Sequence, residues 1–247
     1  MPLVQGRVNR LWQRGQMGNH LVIAGSGNGK TGLICKGILP LCALDRTLFL
    51  DMKNDTDPML DGTGKVITDI REMFATPGGG PFGQWYRLAV DPVNDRARAR
   101  AATKLALAIA LDVGDMVIAA DEVRTITGDL GLGEEYEALL RLGRSKGVSL
   151  ISAVAATDNM RPAVRNQWRF AWVGAVNGAE VIQTCLKILT LPHQQKIGNA
   201  ANPYWPVIRD LRQFEWLYLD NMGKIERNCM ARVKSWNPDS DFYSFAA

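Results

Sequence analysis

Ala24-Gly25-Ser26-Gly27-Asn28-Gly29-Lys30-Thr31 is the stretch from which the rest of this chain is read. It follows an apolar run of strand length, 21–24, and opens a helical pattern over 31–39 that Pro40 stops. Glycines let such a loop turn with its backbone N–H groups inward, so those donors and the helix N-terminus together hold phosphate oxygens. Gly25, Ser26, Gly27, Asn28, Gly29, Lys30, Thr31 and Gly32 are the expected contacts of a nucleotide triphosphate. Lys30 is expected to reach its terminal phosphates and Thr31 to offer a hydroxyl to Mg2+. Ala24 stands where the usual pattern has a first glycine. Glycine-rich turns before helices also occur without nucleotides, but the attached Gly29-Lys30-Thr31 weighs against that reading.

Outward from the loop, further apolar runs at 47–50, 86–90, 116–120, 148–153 and 169–173 alternate with helical patterns, an alanine-rich one at 94–111 and a charged one at 134–144. Short runs buried on both faces, separated by helices, predict a mostly parallel α/β sheet flanked by helices. Glycine-rich breaks at 77–83 and 128–133 read as surface loops rather than linkers, because regular patterning resumes at once after each. The chain is therefore expected to form one domain over 1–247: a basic segment at 1–18, a core at 19–175 and a helical and hairpin extension at 176–247. Apolar runs at 215–219 and 225–233 flank Asp220-Asn221-Met222-Gly223, which predicts a C-terminal antiparallel hairpin. The tail at 235–247 reads as an arm or docking segment.

Composition excludes several classes. With 247 residues and 47% hydrophobic side chains the chain can fill a core, so it is not disordered as a whole. Twenty-nine Lys and Arg against 25 Asp and Glu leave +4, which permits an anionic partner without demanding one. No apolar run approaches the ~20 residues that span a bilayer, and Arg7, Arg10 and Arg14 precede no secretory h-region. Cys35, Cys42, Cys185 and Cys229 show no CxxC spacing and are expected as buried free thiols in a reducing compartment. With only His20 and His193, no multi-histidine metal site can form. Chemistry then falls to carboxylates, a lysine, hydroxyls and arginines.

Asp121 and Glu122 close the apolar run 116–120. At the C-terminal end of a parallel strand such acids face the ligand crevice. Asp121 is expected to hold a magnesium-bound water beside Thr31, and Glu122 to polarise the water that attacks the γ-phosphate. An Asp-Glu pair after a strand is also a common helix N-terminus, favoured by the dipole; the upstream loop makes the catalytic reading the stronger. Glu122 also tilts the case toward hydrolysis rather than kinase chemistry. Asp51 and Lys53 end the second run at the same crevice. Arg141, Arg144 and Lys146 stand at the end of the 134–144 pattern, either as cations suited to a helix C-terminus or, for one arginine, as a charge presented to a neighbouring subunit's γ-phosphate.

The loop Gly27-Asn28-Gly29-Lys30-Thr31, Asp51-Met52-Lys53, Asp121-Glu122 and Gly143-Arg144-Ser145-Lys146-Gly147-Val148-Ser149-Leu150-Ile151 occur in the order and rough spacing of the FtsK/HerA superfamily, which the chain resembles over 21–173. The resemblance implies a RecA-like P-loop NTPase that binds ATP and Mg2+, forms a homo-oligomeric ring of five or six copies and pumps double-stranded DNA. It is nearest in kind to the genome-packaging ATPases of membrane-containing icosahedral viruses. It places Arg144 where the family's trans-acting arginine finger lies, with Arg165 as second choice. Val154-Ala155 stands where the family carries a polar sensor; Thr157, Asp158 or Asn159 could substitute, but helix capping is the preferred reading of each.

DNA contacts are expected mainly with phosphates. Arg96, Arg98, Arg100, Lys104 and the N-terminal arginines are candidates, although a solvated helix face explains them equally well. The 74 residues after Val173 (247 minus 173) lack an obvious acidic cluster for a nuclease. A free-standing motor of this size suits packaging into a preformed capsid, with capsid or membrane-vertex proteins as partners and the host cytoplasm or the packaging vertex as its place. The alternatives are an assembly or secretion ATPase acting on protein or filament export, and a cellular or conjugative DNA pump.

Overall fold

The computed structural model describes residues 18–39, 46–53, 64–75, 85–155, 167–188, 194–197, 200–202, 204–213, 215–220 and 231–233. Arg7, Arg10, Arg14, Arg165, the break at 77–83, the substitutes at 157–159 and the tail at 235–247 lie outside them. Two compact units interleave along the chain: His20–Lys30 with the residues from Val154 onward, and Asn19 with Thr31–Ala153.

The second unit holds β2 (Arg46–Asp51), β3 (Lys65–Ile67), β4 (Tyr86–Ala89), β5 (Met116–Ala120) and most of β6 (Ser149–Ala155). They lie in the order β6-β5-β2-β4-β3, and every neighbouring pair is parallel. All five residues of β5 and Thr47 to Asp51 of β2 are buried, which explains why these strands read as unbroken apolar runs. The long helix Arg96–Val113 buries Ala99, Thr103, Ala106, Leu107 and Ala110, a single helical stripe. It starts two residues later than predicted because Asp95 caps it, accepting from Arg98 N at 3.0 Å.

The pattern at 134–144 resolves into an α-helix, Gly133–Leu142, that tightens into a 3-10 turn, Gly143–Lys146. Gly147 ends the turn at φ +73°, and a Cβ there would run into Asp115 Oδ1. Asp115 N donates to Lys146 O at 2.8 Å, so the turn entering β5 and the turn entering β6 are tied together. The break at 128–133 is a surface loop only in part: Gly128, Asp129 and Gly131 are exposed, but Thr125–Asp129 is a π-helical turn, and Leu130 and Leu132 are fully buried. The glycines there punctuate the backbone while the leucines between them join the core. The helix predicted at 31–39 begins at Lys30 and is wound as a π-helix over Leu33–Ile38, with Leu33, Ile34, Cys35 and Ile38 buried.

The first unit holds β1 (His20–Ala24), β7 (Phe170–Gly174), β10 (Trp216–Asp220) and β11 (Ala231–Val233). β1 and β7 are parallel, β10 is antiparallel to β7, and β11 pairs antiparallel with β10 as the expected C-terminal hairpin. The helix Ala179–Ile188 buries Ile182, Cys185, Leu186 and Ile188. A further helix, Tyr204–Arg209, and a small antiparallel pair, β8 (Lys196–Ile197) with β9 (Ala200–Ala201), complete the extension. Cys35 and Cys185 are buried free thiols; burial pushes the Cys185 thiol up to about 12. Among the described residues no helix is long and apolar enough to cross a membrane.

Candidate functional site

In the first unit, fully buried β1 delivers the chain into the glycine loop. Gly25 N and the Asn28 amide both donate to Ala175 O, each at 3.1 Å, which pins the loop to the segment that follows β7. Gln213 donates to Gly27 O at 3.2 Å from the other end of the chain. Lys30 Nζ donates to Ala24 O and Gly25 O, both at 3.1 Å. Side chains thus take the carbonyls of Ala24, Gly25 and Gly27. The anchoring by Ala175 and Gln213 was invisible in the sequence, because nothing local marks a contact 147 or 186 residues away.

Thr31, the next residue, belongs to the second unit. Its hydroxyl donates to Asp121 Oδ2 at 2.7 Å, across 90 positions of sequence. Asp121 is 4% exposed, and its Oδ1 is buried with no hydrogen-bond partner among the described residues. A hydroxyl beside a carboxylate with a spare buried oxygen fits a hard cation such as Mg2+, which takes few protein ligands and keeps waters and phosphates for the rest. No group of three or more His, Cys, Asp or Glu among the described residues could hold a metal alone. The donor set therefore fits a cation that arrives with its nucleotide.

Glu122 is partly exposed and follows directly. Its backbone carbonyl accepts from Ile126 N at 3.4 Å, while its side chain meets Lys53 Nζ at 3.3 Å, so the carboxylate does not serve as a helix cap. Lys53 Nζ also lies 3.4 Å from Asp121 Oδ2. Partial burial pulls the Lys53 ammonium down, but the charges of Asp121 and Glu122 and their hydrogen bonds outweigh it and the net shift is upward. Asp51 serves a different purpose from its neighbour Lys53: its Oδ1 accepts from Lys53 N at 3.2 Å and its Oδ2 lies 3.7 Å from Arg87 Nε on β4. It braces the turn and the adjacent strand.

Arg144 is exposed in the Gly143–Lys146 turn, before the N-terminal end of β6, whereas Asp121 and Glu122 follow the C-terminal end of the parallel β5. The structure does not bring Arg144 to the acids of the same unit. Of the helix basics, Arg100 Nε donates to Leu130 O at 2.9 Å and Lys104 pairs with Glu135 at 3.0 Å, while Arg96 and Arg98 are exposed.

No protein-family model and no curated protein sequence matches the chain. Among solved structures it is similar to the genome packaging NTPase B204 of Sulfolobus turreted icosahedral virus 2 in complex with AMPPCP, at 13% identity and a TM-score of 0.59, over 89% of this chain and 98% of that one. It is similar to B204, the DNA-packaging ATPase of Sulfolobus turreted icosahedral virus, at 14% identity, TM-score 0.59 and the same coverages. It is also similar to the pCW3 conjugation coupling protein TcpA, at 12% identity and a TM-score of 0.51, over 83% of this chain and 58% of that one. These likenesses establish the fold expected from the motifs: mostly parallel α/β, of the P-loop type.

Proposed function

We propose that this chain is an ATP-hydrolysing motor that moves double-stranded DNA, packaging a viral genome into a preformed capsid. The observation that carries the reading is the 2.7 Å bond between Thr31 Oγ1 and Asp121 Oδ2, with Glu122 adjacent and the glycine loop immediately upstream. Gly25 to Gly32 wrap the triphosphate, Lys30 neutralises its terminal phosphates, and Thr31 and Asp121 position the cation. Bound Mg2+ would supply charge neutralisation at the β- and γ-phosphate oxygens. Glu122 orients the attacking water. Arg144, with Arg165 as second choice, acts on the site of an adjoining copy in a ring of five or six, an effect on rate of roughly 10³ to 10⁵ in such enzymes.

Double-stranded DNA as the cargo rests on the motif resemblance and on the fold shared with proteins described as a packaging NTPase and a DNA-packaging ATPase. Capsid or membrane-vertex proteins as docking partners, and the host cytoplasm or packaging vertex as the place, belong to the same reading. The likeness to a conjugation coupling protein favours a conjugative DNA pump as the second reading. The deciding measurement is ATP hydrolysis by the wild type and by Lys30→Ala, Glu122→Gln and Arg144→Ala, each with and without duplex DNA, followed by a packaging assay with empty capsids. We expect DNA-stimulated turnover in the wild type and its loss in all three variants. Hydrolysis indifferent to DNA but raised by a protein substrate would replace the motor with an export ATPase, and DNA stimulation without capsid dependence would favour the conjugative pump.

A further inference from the structure

We infer that Lys53 is a positioning residue for hydrolysis: its ammonium is anchored on Asp121 and holds the Glu122 carboxylate in the orientation from which it directs water. The inference deepens the proposed ATPase reading and rests on it. Strand register explains how a residue 69 positions away in sequence (122 minus 53) arrives there. β2 and β5 run parallel with Leu50 paired to Ala120, so Lys53 and Glu122, three and two residues further on, emerge side by side.

Two contacts define the arrangement. Lys53 Nζ stands 3.4 Å from Asp121 Oδ2 and 3.3 Å from Glu122 Oε2. Asp121 is buried and already fixed by the Thr31 hydroxyl, whereas Glu122 is 39% exposed in its side chain. An isolated pair this exposed contributes little to stability. Its value lies in geometry: a lysine head held by an immobile carboxylate restricts the torsions of a mobile one. A general base must come within about 2.6–3.2 Å of the proton it takes, and a misplacement of ~1 Å can cost ~10²-fold in rate. Asp51 supports the same turn by accepting from Lys53 N, so the lysine springs from a braced backbone.

The test compares the wild type with Lys53→Met, Lys53→Arg, Glu122→Gln and the double variant Lys53→Met/Glu122→Gln, measuring kcat and KM for ATP, affinity for ATPγS with Mg2+, and Tm. We expect Lys53→Met to lower kcat about tenfold, the equivalent of a small displacement of the base, with KM and ATPγS affinity within about twofold and Tm unchanged. Lys53→Arg should restore most of the rate. The residual hydrolysis of the double variant, followed as a single turnover at high protein concentration, should be no slower than that of Glu122→Gln alone, because a residue that acts through Glu122 has nothing left to position.

A Lys53→Met kcat close to wild type overturns the inference, as does a double variant slowed further by the Lys53→Met factor. Loss of ATPγS binding on Lys53→Met would make it a nucleotide ligand instead, and a lowered Tm with no rescue by arginine would make it merely structural. Failure of the parent reading is distinct: there the wild type itself does not hydrolyse ATP, and this inference falls with it.

Discussion

His20 begins β1 with its imidazole buried against the Phe170 ring, centroids 4.5 Å apart. Burial first, and the nearby Arg169 charge second, hold its pKa down at about 3 against an ordinary 6.5. The folded chain thus refuses a proton that the unfolded chain accepts. The resulting stability is complete above pH 6.5 and is lost as pH falls toward 3. Denaturant midpoints measured across that interval should decline for the wild type, and His20→Phe should flatten the decline. The buried hydroxyls of Tyr136 and Ser152 share a hydrogen bond. Tyr136→Phe should cost roughly 1–3 kcal/mol by orphaning Ser152, and the added Ser152→Ala should recover part of it; urea unfolding of the singles and the double reads this directly. At this scale the sequence announced Thr31 and Asp121 through their motifs. Asn28 and Lys53 were legible as candidates, but their partners, Ala175 O for the one and Asp121 with Glu122 for the other, were not, and Gln213 carried no sign at all, because these contacts are fixed by register and tertiary folding rather than by spacing.

Elements were legible in proportion to their burial. β5 and β2 are apolar from end to end because both faces are covered, and their bounds matched expectation to within a residue. β3 escaped notice: it is three residues long, at the edge, with Lys65 and Val66 exposed, so neither an apolar run nor an alternation could develop. The leucines at 130 and 132 were misread because flanking glycines outweighed two isolated apolar residues. The helix Arg96–Val113 depends on its cap, and Asp95→Ala should lower stability by ~1 kcal/mol, seen as a shifted thermal midpoint without loss of far-UV helicity. Gly147→Ala should cost more, since the backbone there is left-handed and the space is taken by Asp115.

For the molecule as a whole, a pattern of strands and helices says which segments are covered but not which cluster together, and the interleaving of the two units at Lys30 and Ala153 left no mark in composition. Assembly has its own experiment. On the proposed reading, Lys30→Ala would lack its triphosphate contact but keep Arg144, and Arg144→Ala would have the reverse defect. Neither should hydrolyse ATP alone, whereas mixing them should recover a fraction of wild-type turnover that rises with total concentration. No recovery at any ratio would remove Arg144 from an intersubunit role.

The tie between Asp115 and Lys146 fixes where the guanidinium starts its reach. Arg144 hangs from the head of the β5–β6 pair and the two acids from its foot, with five residues of rigid strand, ~16 Å at the usual rise, in between. No arginine side chain covers that span. Under the proposed mechanism, then, a lone polypeptide folded in this way would be half of a tool: its guanidinium could serve only a second copy, and solitude would keep it idle.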